Sequence, residues 1–269
     1  MCRRACLRNL KLTLQYDGTE LAGWQRQKTG DSVQGLLEDA LSRIDGAPVT
    51  VHGAGRTDAG VHAMAQVASA QVQTAHDPGT ITRALNAQLP PAVRVTRIEE
   101  ASPDFHARFS ARGKTYRYLT LEGEIASPFL CRYAHRVPGP LDVVAMREAV
   151  GAFRGTHDFS AFQSTGSTVA HAMRTVTHAD VRVWEPGQPP PAPPVSESAV
   201  AGARLVVFEV AADGFLRHMV RAMAGTLLDV GLRRRPAADV SAIRDGLARA
   251  DAGATAPARG LWLVSVDYC

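Results

Sequence analysis

Apolar residues recur in this chain at two periods, and the chain switches between them several times. Leu10, Leu12, Leu14 and Tyr16 alternate with polar neighbours in LKLTLQY, the period of a strand with one buried face. Asp17 and Gly18 interrupt that run. After the loop containing GWQRQ, Ser32 can cap a helix in which Val33, Leu36, Leu37, Ala40, Leu41 and Ile44 form a single stripe that stops at Gly46. Two-residue alternation returns in VTVHGAG (49–55) and at 62–73. A short helix is expected at 79–88, halted by Pro90 and Pro91, and strands are expected at 92–99 and 114–121.

The second half repeats this grammar. Helical spacing covers Leu141 to Phe153, strands are expected near 175–184 and 204–211, helices near 215–230 and 239–250, and GLWLVSVDY supplies a closing strand. Such alternation points to α+β architecture in two halves, each a sheet with helices on one face. The division is expected between residues 1–105 and 106–269, within a transition region of 105–140. EPGQPPPAPPVSESAVAG interrupts the second half. Its prolines lack backbone donors, so residues 186–198 are expected to be a loop insertion, mostly polyproline-like or disordered, with few contacts.

With 269 residues, 45% hydrophobic and 21% charged, the chain has material for a sizeable core, which excludes wholesale disorder. A formal net charge of +4 and a pI near 9.1 favour a polyanionic partner. No run of 18 apolar residues exists, and MCRRACLRNLKLTLQYDG has no apolar stretch after its basic residues, so a cytoplasmic location and no membrane partner are expected. The four cysteines, Cys2, Cys6, Cys131 and Cys269, form no CxxC pair, and the nine histidines are scattered. Free thiols and no metal site are the expectation.

GAGRTDAGVHA (53–63) is the most informative stretch. Gly53, Gly55 and Gly60 surround Arg56, Thr57 and Asp58, a composition that fits either a tight surface turn or a functional loop. It fits a phosphate-binding loop poorly. A GxGxxG pattern begun at Gly53 would require glycine where Asp58 stands, a carboxylate repels phosphate, and no Walker lysine follows.

This segment resembles the active-site signature of the bacterial tRNA pseudouridine synthase A family. The resemblance extends, in the family's order, through YDGTELAGWQRQ (16–27), DSVQGLLEDAL (31–41), DFHARFSARGKTYRY (104–118), GTHDFSAF (155–162), FLRHMVR (215–221) and GLWLVSVDY (260–268). The departures are the longer proline-rich segment and a C-terminus just past the VDY block.

What the resemblance implies is a pseudouridine synthase fold: two similar α/β halves with mainly antiparallel sheets meeting at a central basic cleft, helices on the outer faces. It implies Asp58 as covalent nucleophile, attacking C6 of uracil or C1′ of ribose, with Arg221 as its ion-pair partner. Tyr116 would stack on the extruded base, Leu261 would line the uracil pocket, and Arg56 would contact RNA or support the loop. A carboxylate suits this role because it is ionised at neutral pH and serves as both nucleophile and leaving group. Isomerisation requires no cofactor. The implied substrate is uridine at positions 38–40 of the tRNA anticodon stem-loop, and the implied assembly is a homodimer.

Periodicity places Arg217 and Arg221 on one helix face beside Leu216, Met219, Val220, Met223 and Leu227. Arg108, Arg112, Lys114 and Arg117 form a basic run suited to phosphates. Two other functions are compatible with this reading: a tRNA-binding chaperone without catalysis, and a synthase of the same kind acting on another RNA. Asp58 discriminates against the first, since a carboxylate in a basic cleft weakens phosphate affinity.

Overall fold

The computed structural model describes residues 7–164, 171–193, 195–200 and 202–268. The chain divides into two compact units, residues 1–112 with 263–269, and residues 113–262.

In the first unit, β1 (Arg8–Tyr16), α1 (Val33–Asp45), β2 (Val51–Gly53), β3 (His62–Val72), α2 (Pro78–Gln88) and β4 (Val93–Ala101) follow the expected order. β1 lies antiparallel between β3 and β4, with Leu12 opposite Ala68 on one side and Ile98 on the other. β2 extends β3 from Val51↔Ala70 to Gly53↔Ala68. The alternation in β1 has its expected result: Leu10, Leu12 and Leu14 are fully buried and Tyr16 nearly so. Each such leucine contributes about 1.5–3 kcal/mol from leaving water. Ser32 caps α1, accepting the Gly35 N–H at 3.3 Å, while Asp77 caps α2 through the Thr80 N–H at 3.0 Å. The two helices pack together, α2 against β4 and α1 against β2.

A strap at residues 102–112 is tied to the same unit. The Asn9 side chain donates to the carbonyls of Ser102 and Phe105, both at 2.8 Å. The Ala107 N–H donates to Ser69 Oγ at 3.1 Å. Ala107, fully buried, joins Ala54 and Val67 in a small core closed by Phe105, Val266 and Tyr268.

The second unit contains β5 (Gly113–Glu122), β6 (His135–Val137), α3 (Val143–Val150), β7 (Gly155–Asp158), β8 (Met173–Trp184), α4 (Glu197–Val200), β9 (Arg204–Ala212), α5 (Met219–Gly231) and α6 (Asp239–Gly246). The order β5-β9-β8-β7 is antiparallel throughout, and β6 runs parallel to β5. α5 is buried over most of its length and packs on α3, which also contacts β8 and α6. The final strand, β10 (Leu261–Asp267), begins in the second unit and ends in the first, where it neighbours β3.

Two local expectations are corrected. The proline-rich segment makes specific contacts: Ala192 is fully buried and Val195 nearly so. Trp184 Nε1 donates to the Pro189 carbonyl at 3.1 Å, Arg117 Nη1 donates to the Pro191 carbonyl at 2.7 Å, and Glu197 accepts the Gly187 N–H at 2.8 Å. Proline removes a donor but leaves an acceptor, and these carbonyls are the groups used. Arg217 does not share a helix face with Arg221. His218 adopts a left-handed backbone with φ of 63°, and α5 starts only at Met219.

Candidate active site

Asp58 stands in the loop between β2 and β3, where the backbone before it is held from a neighbouring segment and the backbone after it by a turn within the loop. The Trp24 N–H donates to the Thr57 carbonyl at 3.0 Å, and the Asp58 carbonyl accepts the Val61 N–H at 3.2 Å. Thr57 is buried, with its Oγ1 2.8 Å from the Tyr16 hydroxyl. Gln66 Nε2 donates both to that hydroxyl, at 3.3 Å, and to the Gly55 carbonyl, at 2.9 Å. Burial pushes the Tyr16 phenol up to about 12, with Thr57 and Gln66 acting in the opposite direction. The group therefore stays protonated as a hydrogen-bonding link at neutral pH.

Close packing completes the cradle. A methyl group added to Gly53 would lie 2.3 Å from the Trp24 ring, so only a hydrogen fits there. Fully buried His62 accepts the Gly18 N–H on Nδ1 at 3.0 Å, the same nitrogen lying 3.2 Å from Asp17. YDG and GW are thus structural supports for the RTD loop. Asp58 itself is partly exposed and Arg56 is exposed.

Arg221, Tyr116 and Leu261 belong to the second unit. Arg221 lies on the first turns of α5, and its Nε donates to the Ala256 carbonyl at 2.7 Å while its own carbonyl accepts the Ala256 N–H at 3.0 Å. α5 and the 253–256 segment approach unusually closely at this point: a methyl group at Gly225 would sit 1.8 Å from the Ala254 carbonyl oxygen. Thr226 Oγ1 adds a bond from the Gly253 N–H at 2.9 Å.

Tyr116 on β5 is 7% exposed and meets the Phe215 ring edge-on, with centroids 5.0 Å apart. Tyr118, two residues along, is a core strut whose hydroxyl donates to the Pro257 carbonyl at 2.9 Å. Burial raises its phenol, against the lowering influence of Arg221 and Arg259. A methyl group at Gly260 would lie 2.8 Å from the Tyr118 ring, which fixes the start of β10 and hence Leu261, itself 6% exposed. Arg221, Tyr118 and the 256–261 segment therefore form one interlocked element.

Tyr16, Trp24, His62 and Gln66 carry the loop, although periodicity reads Tyr16 only as a strand residue and singles out none of the other three. The available signal was Gln66 and His62 themselves, polar residues at buried positions of β3, which require partners. Among the described residues no cluster of three or more metal-ligating side chains occurs. None of the described helices is long and apolar enough to cross a membrane.

Residues 13–110 and 149–269 match the family model for tRNA pseudouridine synthase. The chain is 39% identical to tRNA pseudouridine synthase A of Acetivibrio thermocellus over 262 residues, covering 97% of this chain and 100% of that protein. It is 44% identical to tRNA pseudouridine synthase A of Solidesulfovibrio magneticus, covering 96% and 90%. The corresponding protein of Moorella thermoacetica is 41% identical, with 96% and 99% covered. This chain belongs to the tRNA pseudouridine synthase family, a group of isomerases.

Proposed function

We propose that the protein isomerises uridine to pseudouridine at positions 38–40 of the tRNA anticodon stem-loop, acting as a cytoplasmic homodimer with Asp58 as nucleophile. The observation that carries this reading is the clamped RTD loop, in a chain of this family. Fixed backbone on either side of a partly exposed carboxylate is the preorganisation that covalent attack requires.

The Asp58 carboxylate adds to C6 of uracil or to C1′ of ribose, the N1–C1′ bond breaks, and the base turns to present C5. A C5–C1′ bond forms, C5 gives up its proton to solvent while N1 takes one up, and the carboxylate departs unchanged, so that product and substrate have the same atoms. Arg221 is assigned as the cation that keeps Asp58 ionised when water is excluded. Tyr116 is assigned to stack on the extruded base, Leu261 to the apolar wall beside it, and Arg56 to an RNA contact.

Mapping of pseudouridine in tRNA from cells with and without the gene tests the reading. Loss confined to positions 38–40 supports it. Unchanged tRNA contradicts the assignment of substrate, and loss in another RNA replaces that substrate.

A further inference from the structure

The first unit carries a second aromatic feature, separate from the residues assigned above. Phe109 is 77% exposed, yet its position is fixed. Its ring lies against His106, with centroids 4.4 Å apart and planes inclined at 35°, and His106 in turn lies against His52, at 4.9 Å and 31°. The turn beneath them is rigid. His106 Nδ1 accepts the backbone N–H groups of Arg108 and Phe109 at 3.1 and 3.4 Å, and the Ser110 N–H donates to the His106 carbonyl at 2.9 Å. Ala107, between them, is anchored to Ser69 and to the Tyr268 hydroxyl at 3.1 and 2.7 Å.

A single exposed aromatic is ordinary on a protein surface, but this one is stacked against two further rings and its surroundings are cationic. The Arg108 guanidinium lies 5.6 Å from the Phe109 centroid. Beside Phe109 is a cavity of about 460 Å³ whose lining includes Lys11, Arg112, Phe105 and Tyr268. Its two glutamates are engaged elsewhere, Glu100 with Arg8 at 2.5 Å and Glu99 with Arg97 at 2.8 Å. His52 directly precedes Gly53, so the ladder adjoins the segment that leads to Asp58.

We propose that Phe109, backed by His106 and His52, is a stacking platform for an unpaired nucleobase of the RNA substrate, with Arg108 against the adjoining phosphate. Every base has a π-face, so such a platform accepts any of the four, and a preset ring loses little freedom on binding. The inference rests on the reading that the substrate is RNA.

The test is the affinity of the full-length protein for a synthetic anticodon stem-loop, measured across a salt series. Phe109→Ala is expected to weaken binding roughly tenfold with an unchanged salt slope, and Phe109→Trp to bind as well as the parent. Arg108→Ala is expected to reduce the slope of log Kd against log salt by roughly one. Because the ring is exposed, these variants are expected to melt at the parent's temperature, and that measurement separates lost binding from lost fold. Affinity of Phe109→Ala within twofold of the parent, while the parent binds and isomerises the RNA, overturns the platform alone. A changed association state with unchanged affinity also overturns it, in favour of a contact between copies of the chain. A parent that neither binds nor isomerises this RNA overturns the functional reading and the platform with it.

Discussion

At the scale of single residues, the loop around Asp58 is held by hydrogen bonds from side chains outside it. The Tyr16 hydroxyl joins Thr57 to Gln66, and Gln66 also holds the Gly55 carbonyl. Tyr16→Phe is expected to lose about 1–2 kcal/mol of stability, because buried partners are left unsatisfied. It should also lower kcat more than it raises KM, because the defect lies in the placement of Asp58; an unchanged kcat would contradict that. Burial holds the imidazoles of His106 and His135 below their ordinary range, and His135 Nδ1 has no hydrogen-bond partner. With folded-state values below unfolded ones, the unfolded chain binds more protons as pH falls through the histidine range, near 6.5. Stability is therefore full above that range and declines below it. Denaturant titrations on either side of it should show the decline, and His135→Gln should make it shallower. The family was legible in the sequence because RTD occurs within a long ordered resemblance, and that resemblance is what assigns Asp58. Tyr16 was not, because strand periodicity counts it only as the fourth apolar member of LKLTLQY.

Among the elements, α5 and the 253–256 segment offer the sharpest test. Gly225→Ala forces a methyl group onto the Ala254 carbonyl and should destabilise the protein by roughly 1–3 kcal/mol. Because Arg221 bonds Ala256 in the same contact, turnover should fall as well, even where the variant remains folded by circular dichroism. Deleting residues 187–198 would expose the surfaces covered by Ala192 and Val195 and strip acceptors from Trp184 and Arg117. A loss on the order of 2 kcal/mol is expected, seen as a lower melting temperature. Most strands and helices were legible because their apolar spacing is strong. The start of α5 was not: Leu216 is buried at a position in phase with the helical stripe, although the backbone before Met219 is not helical. The proline-rich segment was misread for a different reason. Composition reports missing donors but does not reveal where carbonyls and two small apolar side chains will lodge.

Across the whole molecule, the α+β alternation was readable from the two hydrophobic periods, but the route of the chain was not. β10 carries the last residues back into the first unit, a long-range pairing that no local pattern encodes. Closing the first unit in this way places Val266 and Tyr268 in its small core beside Ala54, the residue that follows Gly53 into the Asp58 loop. The fold therefore ties both ends of the sequence to the support of one carboxylate. The most direct measurement is the conversion of a tRNA anticodon arm by purified Asp58→Ala, compared with the parent and with RNA affinity recorded in parallel. The account expects no detectable pseudouridine from the variant while RNA binding is largely retained. Product formation by Asp58→Ala at a rate near that of the parent would contradict it.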